Sequence, residues 1–308
     1  MLDTFNDTPS GIKQIKGFES LSSSSSSPSS ASPRQKQNLT MAGHPVFTLH
    51  YFPFSLYSLM ARFGFVLGEE LNPATAPRVE IRFVDRQNTE NLSEDYLVNV
   101  NPKGSVPSLT SPSLPSALTD SRDISTWLCD KQPELLPEEH KENIVRLVDM
   151  LYDFHAMALM ISPDDRKDGI PNQAAALLEN PDLTEPHRRA LEIKSIYHDT
   201  FHSHTLDSDN IAEVESKCVA FLDGIATLLQ EREGGGDWLF GNRPTILDAH
   251  AFPFIRRLMD RNRLDLVTQD AVKAYAEGIT KSKEWQRVSH GRRTLYDASY
   301  GPARELPL

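Results

Sequence analysis

Three short stretches carry residue types whose spacing could do chemistry. "SVPSLTSPSLPSALTDSRD" (105–123) places Val106-Pro107 before one apolar stretch and Asp120-Ser121 straight after the next. A proline lacks the amide donor, so it belongs at the mouth of a strand where no ladder partner waits. About 5–6% of X–Pro bonds are cis, and a cis Val106–Pro107 bond would turn the Val106 N–H and C=O outward together, ready to pair with an extended peptide. Asp120-Ser121 falls at the expected start of a helix. Such residues ordinarily cap the helix, yet helix N-termini also hold carboxylates through free N–H groups and the macrodipole. Ser121 could then hold a carboxylate and Asp120 an ammonium, so that one small zwitterion satisfies both.

The second stretch, "LHYFPFSLYSLMAR" (49–62), sets hydroxyls at a strand–helix junction: Tyr51, Ser55, Tyr57 and Ser58. The third, "YHDTFHSH" (197–204), puts His198 and His202 on one helix face beside Asp199. That spacing suits a metal, but no HExxH motif accompanies it. Surface histidines and no metal are the expectation.

The elements that must position these groups follow from periodicity. "VFTLHY" (46–51) reads as a strand, and residues 55–71 carry Leu56, Leu59, Met60, Phe63 and Leu67 at helical spacing. "VEIRFVD" (79–85) alternates as a half-buried strand, 92–100 opens a short helix at Ser93, "VPSLT" and "PSALT" are brief strands, and "SRDISTWLCDKQ" is a helix. The order β-α-β-(α)-β-β-α predicts an α/β unit with a four-stranded mixed sheet over 46–131. Beyond, 138–308 reads as all-helical: Ile144, Leu147, Val148, Leu151, Phe154 and Ala158 recur at three and four, as do Val214, Cys218, Leu222, Ile225 and Leu229. Residues 162–186 read as a long connection, and Pro253 should kink or break its helix.

Residues 1–45 include "SLSSSSSSPSSASPRQ" and read as a disordered Ser-rich tail. They lack the apolar core of a secretory signal, and Met41 would serve as an alternative start. The 308 residues carry a formal net charge of −11 and show no basic stripe, which argues against nucleic acid. No apolar run approaches the ~20 residues of a membrane span. The two cysteines, Cys129 and Cys218, sit in apolar helical patterns without metal or disulfide spacing, so a reducing, cytoplasmic setting is expected.

"NPKGSVPSL" (101–109) with "ALTDSRDISTWL" (117–128) resembles the glutathione-binding half of the soluble glutathione transferases, and "DWLFGNRPTILDAH" (237–250) resembles their C-terminal helix-capping motif. The resemblance spans roughly 46–300 and points to a Ser-type, fungal-like member. It implies a thioredoxin-like N-terminal domain plus an all-α C-terminal domain. It further implies that Pro107 is cis, Val106 pairs with the cysteinyl backbone of glutathione, Asp120 and Ser121 grip its γ-glutamyl end, and Lys103 meets its glycyl carboxylate. Thr245 and Asp248 form a capping box whose role is structural.

The chemistry then needs a thiolate. A thiol with pKa near ~8.5 is mostly protonated at neutral pH, and lowering it by two units takes ~2.7 kcal/mol. One hydroxyl donating to the charged sulfur contributes ~1.5–3 kcal/mol, so one is enough. The pattern Phe-Pro-x-Ser resembles the Ser-type arrangement and selects Ser55, with Tyr51 and Tyr57 as rivals. The absence of cysteine there argues against a mixed-disulfide mechanism. The implied activity is addition of the glutathione thiolate to an apolar small electrophile, in detoxification or secondary metabolism, or an isomerising or eliminating variant. Tyr152, His155 and Met157 are candidates for the second-substrate pocket, and a homodimer is expected. The alternative is a non-catalytic module of the same fold, as found in regulators and translation-factor subunits.

Overall fold

The computed structural model describes residues 46–162, 166, 169–232 and 234–308. The expected disordered tail, Met41 and part of the 162–186 connection lie outside them.

Strand β1 (Phe47–Tyr51) is central, parallel to β2 (Val79–Phe83) and antiparallel to β3 (Ser108–Thr110). Among the described residues the sheet has three strands in the order β2-β1-β3. The expected fourth strand, "PSALT", shrinks to a single antiparallel bridge in which Leu109 and Leu118 exchange backbone bonds of 2.8 and 2.9 Å. Pro112 and Pro115 deprive that segment of the donors a longer ladder needs.

Helix α1 (Leu56–Leu71) is capped by Ser55 and buries most of its surface against α3 (Ser121–Lys131) and the helical part of the chain. A short α2 (Glu94–Asn99) precedes β3. Everything after α3 is helical: α4 (Lys141–Tyr152), α5 (Met157–Met160), α6 (Gln173–Leu177), α7 (Glu185–His202), α8 (Ser208–Glu231), α9 (Ile246–Asp260), α10 (Asp270–Thr280) and α11 (Lys283–Ser289). The expected long connection therefore contains a helix, α6, which packs on α7. None of the described helices is long and apolar enough to cross a membrane.

The two parts share one core. Phe63 of α1 sets its ring 5.7 Å from Phe252 of α9 and 5.2 Å from Trp285 of α11. Helix α9 runs unbroken through Pro253, contrary to the break expected there. Its residues Phe252, Phe254, Ile255 and Leu258 are wholly buried, and that burial, at roughly 1.5–3 kcal/mol per large side chain, outweighs one missing bond. At its start the Asp248 carboxylate accepts from Thr245 N (2.8 Å), Thr245 Oγ1 (2.9 Å), Leu239 N (3.0 Å) and Tyr275 Oη (2.9 Å). The capping box thus also ties the preceding loop and α10 to α9.

Candidate functional site

The site is built at one end of the sheet. Residues 101–105, which lead into Val106-Pro107, are bolted down by side chains. Asn101 Nδ2 donates to Ser105 O (2.9 Å) and Ser108 Oγ (3.1 Å), Tyr96 Oη to Ser105 O (2.7 Å), and Asn91 Nδ2 to Gly104 O (2.7 Å). Gly104 has φ +60°, and a Cβ there would meet Leu92 Cδ2 at 3.0 Å, so both backbone and space favour glycine. The Val106–Pro107 peptide bond is cis.

Register explains why distant residues meet. Leu109 opposes Leu49 on β1 and Leu118 on the other side. Counted along both antiparallel pairings, Phe52, Val106 and Ser121 fall toward the same end of the sheet, as do Pro107 and Asp120. Ser55, three residues past Phe52, closes the arrangement: its Oγ donates to Val106 O at 3.4 Å and accepts from Ser58 N at 3.3 Å. The Val106 and Ser121 N–H groups donate to no acceptor among the described residues. One hydroxyl and two unused amides therefore converge at the sheet end.

Asp120 is the N-cap of α3 and accepts from Arg122 N at 2.8 Å. Burial pushes its carboxyl upward, opposed by the Arg122 amide and by the nearby charge of Lys103. Ser121 Oγ lies 2.7 Å from Tyr152 Oη, which lies 3.1 Å from His250 Nδ1, and His250 Nε2 lies 2.8 Å from Ser125 Oγ. This chain links α3, α4 and α9. Desolvation brings His250 down to about 3, so its ring is neutral at ordinary pH.

Several expectations change in this setting. Tyr152 is buried beneath Ser121, not exposed in an open pocket, because its hydroxyl is drawn into the chain of hydrogen bonds. Tyr51 points into the core: its hydroxyl has no partner among the described residues, and burial raises its pKa well above the ordinary value, which makes it a poor rival to Ser55. Tyr57 is also buried, its ring 5.9 Å from that of Tyr152. His198 and His202 are buried rather than on the surface, because their face of α7 turns inward; among the three, His204 is the exposed one. His155 packs its ring against His202, and Met157 is buried in α5. Cys129 and Cys218 are free and buried, with desolvation pushing both thiols up to about 12.

No family model matches the chain, and no curated protein does. Solved structures do. A maleylacetoacetate isomerase from Methylobacterium extorquens AM1, with malonate and glutathione bound, aligns at TM-score 0.51 and 18% identity, covering 81% of this chain and 100% of its own. A bacterial maleylpyruvate isomerase, a zeta-class glutathione S-transferase, aligns at TM-score 0.50 and 20% identity, covering 81% and 100%. Glutathione transferase F7 from Populus trichocarpa aligns at TM-score 0.50 and 19% identity, covering 80% and 98%.

The fold is that of the glutathione transferases. It consists of a thioredoxin-like N-terminal unit and an all-helical C-terminal one.

Within this glutathione-transferase fold, three supports escape a reading of motifs. Arg257 of α9 is buried and donates to Phe54 O (2.7 Å), Thr294 O (2.7 Å) and Thr294 Oγ1 (3.0 Å), so it holds the residue before Ser55. Asp260 fixes Thr294 in turn, accepting from its N and Oγ1 at 2.8 Å each. His250 and Ser125 complete the chain behind Ser121. Arg256 and Arg257 adjoin in the sequence, and nothing local says that one of the two points inward.

Proposed function

We propose that the protein is a glutathione-dependent transferase. The observation that carries this reading is the convergence of the Ser55 hydroxyl with the unused Val106 and Ser121 amides at one end of the sheet. Residues 46–131 would bind the tripeptide and 138–308 the second substrate. Val106 N–H and C=O would pair with the cysteinyl backbone beside Pro107. Ser121 N–H and hydroxyl would receive the γ-glutamyl carboxylate at the positive end of α3, Asp120 the ammonium, and Lys103 the glycyl carboxylate.

His250 gives the hydrogen-bonded chain a direction. A neutral imidazole carries one ring proton. With Nδ1–H donating to Tyr152 and Tyr152 donating to Ser121, the Ser121 hydrogen is left to donate to a carboxylate. Turning Ser55 Oγ from Val106 O toward a sulfur would stabilise the thiolate by ~1.5–3 kcal/mol. The thiolate lone pair then forms a C–S bond to the electrophile. A leaving group departs with its bonding pair, or, in addition, the adjacent carbon takes up a proton. Two of the structural neighbours are described as isomerases, so transient addition followed by elimination of glutathione is a variant within this reading. A homodimer and a cytoplasmic location complete the proposal.

A second reading has its own support. Ser55 is 1% exposed and already caps α1 while bonded to Val106 O, as a purely structural serine would be. In that case the fold binds without turnover. Calorimetric titration with glutathione separates the two. The transferase reading expects binding by the wild type, loss of binding in Ser121→Ala, and retained binding with lost thiolate absorbance in Ser55→Ala. Unchanged thiolate absorbance in Ser55→Ala would leave the binding module. No binding by the wild type would remove glutathione from both.

A further inference from the structure

One buried polar cluster lies outside the tripeptide slot. Lys194, His198 and His202 recur every four residues along α7 and form an inward stripe. His155, just after α4, meets that stripe: ring centroids are 5.2 Å apart for His155–His202 and 4.7 Å for His198–His202. Both ring nitrogens of His155, both of His202 and Nε2 of His198 are buried without a hydrogen-bond partner among the described residues. Lys194 is 2% exposed, and among the described residues no carboxylate pairs with it; its ammonium stands 5.3 Å over the Tyr197 ring. Burial, with Arg86 nearby, brings Lys194 down to about 7.

Buried polar atoms are ordinarily paired and buried charges ordinarily neutralised. Five unpaired nitrogens and an ammonium without a counter-ion at one place therefore ask for an external partner. The sign of that partner follows from the surroundings. Lys194 itself is cationic, and among the described residues the adjacent acid, Asp199, is mostly exposed, where it accepts from His198 Nδ1 (3.2 Å) and Asn172 Nδ2 (2.8 Å). A cation would be repelled. Among the described residues no group of three His, Cys, Asp or Glu is arranged to hold a metal. Imidazole N–H groups and an ammonium are instead donors, and a carboxylate presents two acceptor oxygens.

Short links run from the surroundings of the cluster to those of the slot. His155 is three residues beyond Tyr152, which touches Ser121. The Arg86 guanidinium lies 6.0 Å from the ring of Phe52, whose carbonyl accepts from Ser55 N at 3.0 Å. We propose that Lys194, His155 and His202 form an anion site that seats a carboxylate on the second substrate, so that the electrophile is an apolar molecule bearing an organic acid. This rests on the transferase reading for its purpose, though not for its binding chemistry.

The test uses two matched, unreactive probes, 3,5-dinitrobenzoate and 1,3-dinitrobenzene, titrated calorimetrically into the full chain with and without glutathione. The wild type should bind the benzoate at least ~10-fold more tightly than the neutral compound, and Lys194→Met should abolish that preference while leaving dinitrobenzene binding within about twofold. His202→Leu is the second variant, expected to weaken benzoate alone. No preference in the wild type, or one that survives both substitutions, overturns the anion site. Glutathione titrated by itself reads the other proposal separately. A benzoate preference without glutathione binding keeps the anion site and removes the transferase. Glutathione binding without a benzoate preference does the reverse.

Discussion

Two buried, imidazole-bearing clusters in this molecule are built on opposite plans. In Ser121–Tyr152–His250–Ser125 every group has a partner at 2.7–3.1 Å, and the chain joins three helices. In Lys194–His198–His202–His155 five ring nitrogens have none. A fully satisfied network rigidifies what it touches. An unsatisfied one burdens stability and persists only where the rest of the fold carries it, which is the pattern of a site kept for something external. The polar interior therefore divides into a part that holds shape and a part that awaits a ligand.

Acid exposes the shared weakness of the buried imidazoles, in the two clusters and at His50 on β1, and gives the largest expected effect. Burial depresses His50 and His155 to about 4, His250 to about 3 and His202 lower still, from an ordinary value of 6.5. The unfolded chain then binds protons that the native state refuses. Stability is full above about pH 6.5 and falls as pH drops toward the folded values, by about 2 kcal/mol per buried histidine at pH 5. Urea unfolding between pH 7.5 and 5 should show that steep loss; a flat profile would refute buried neutral imidazoles.

Substitution then sets the clusters apart. His250→Leu strands the Tyr152 and Ser125 hydroxyls and should cost about 2–4 kcal/mol, read as a lowered urea midpoint with unchanged m-value. Lys194→Met removes a buried, uncompensated charge at similar volume and should raise stability by about 1–3 kcal/mol. If both variants move the midpoint the same way, the distinction between a holding and a waiting cluster fails. The smallest effect is that of Tyr152→Phe: about 1 kcal/mol of stability and a several-fold weaker affinity for glutathione, because Ser121 loses the donor that orients its hydroxyl. An unaltered glutathione affinity would confine Tyr152 to a structural role.

Local rules made much of this legible. Proline at a strand mouth, Asp-Ser at a helix start and Thr245 with Asp248 each carry their meaning within a few residues, and the strands and helices around them follow from periodicity. What stayed hidden depends on long-range partners. That Ser121 leans on Tyr152 and His250 needs three helices brought together. That His198 and His202 face inward could not be read from a helix whose mean composition is polar; His155, far away in sequence, supplies part of their surroundings. The loss of the fourth strand was visible in principle, since Pro112 and Pro115 flank it, but alternation of apolar residues outweighed them.

The clamp made by Arg257 spans 203 positions of sequence to reach Phe54 O, and it brings Thr294 with it. For anyone exchanging halves between proteins of this fold, the seam after α3 is thus deceptive. A chimera joined there would keep every residue of the proposed tripeptide slot yet lose the hand that steadies Ser55, unless the incoming helical half carries an inward arginine and its threonine at matching places. The serine and its anchor sit in different halves of the chain, so one can be lost while the other is kept.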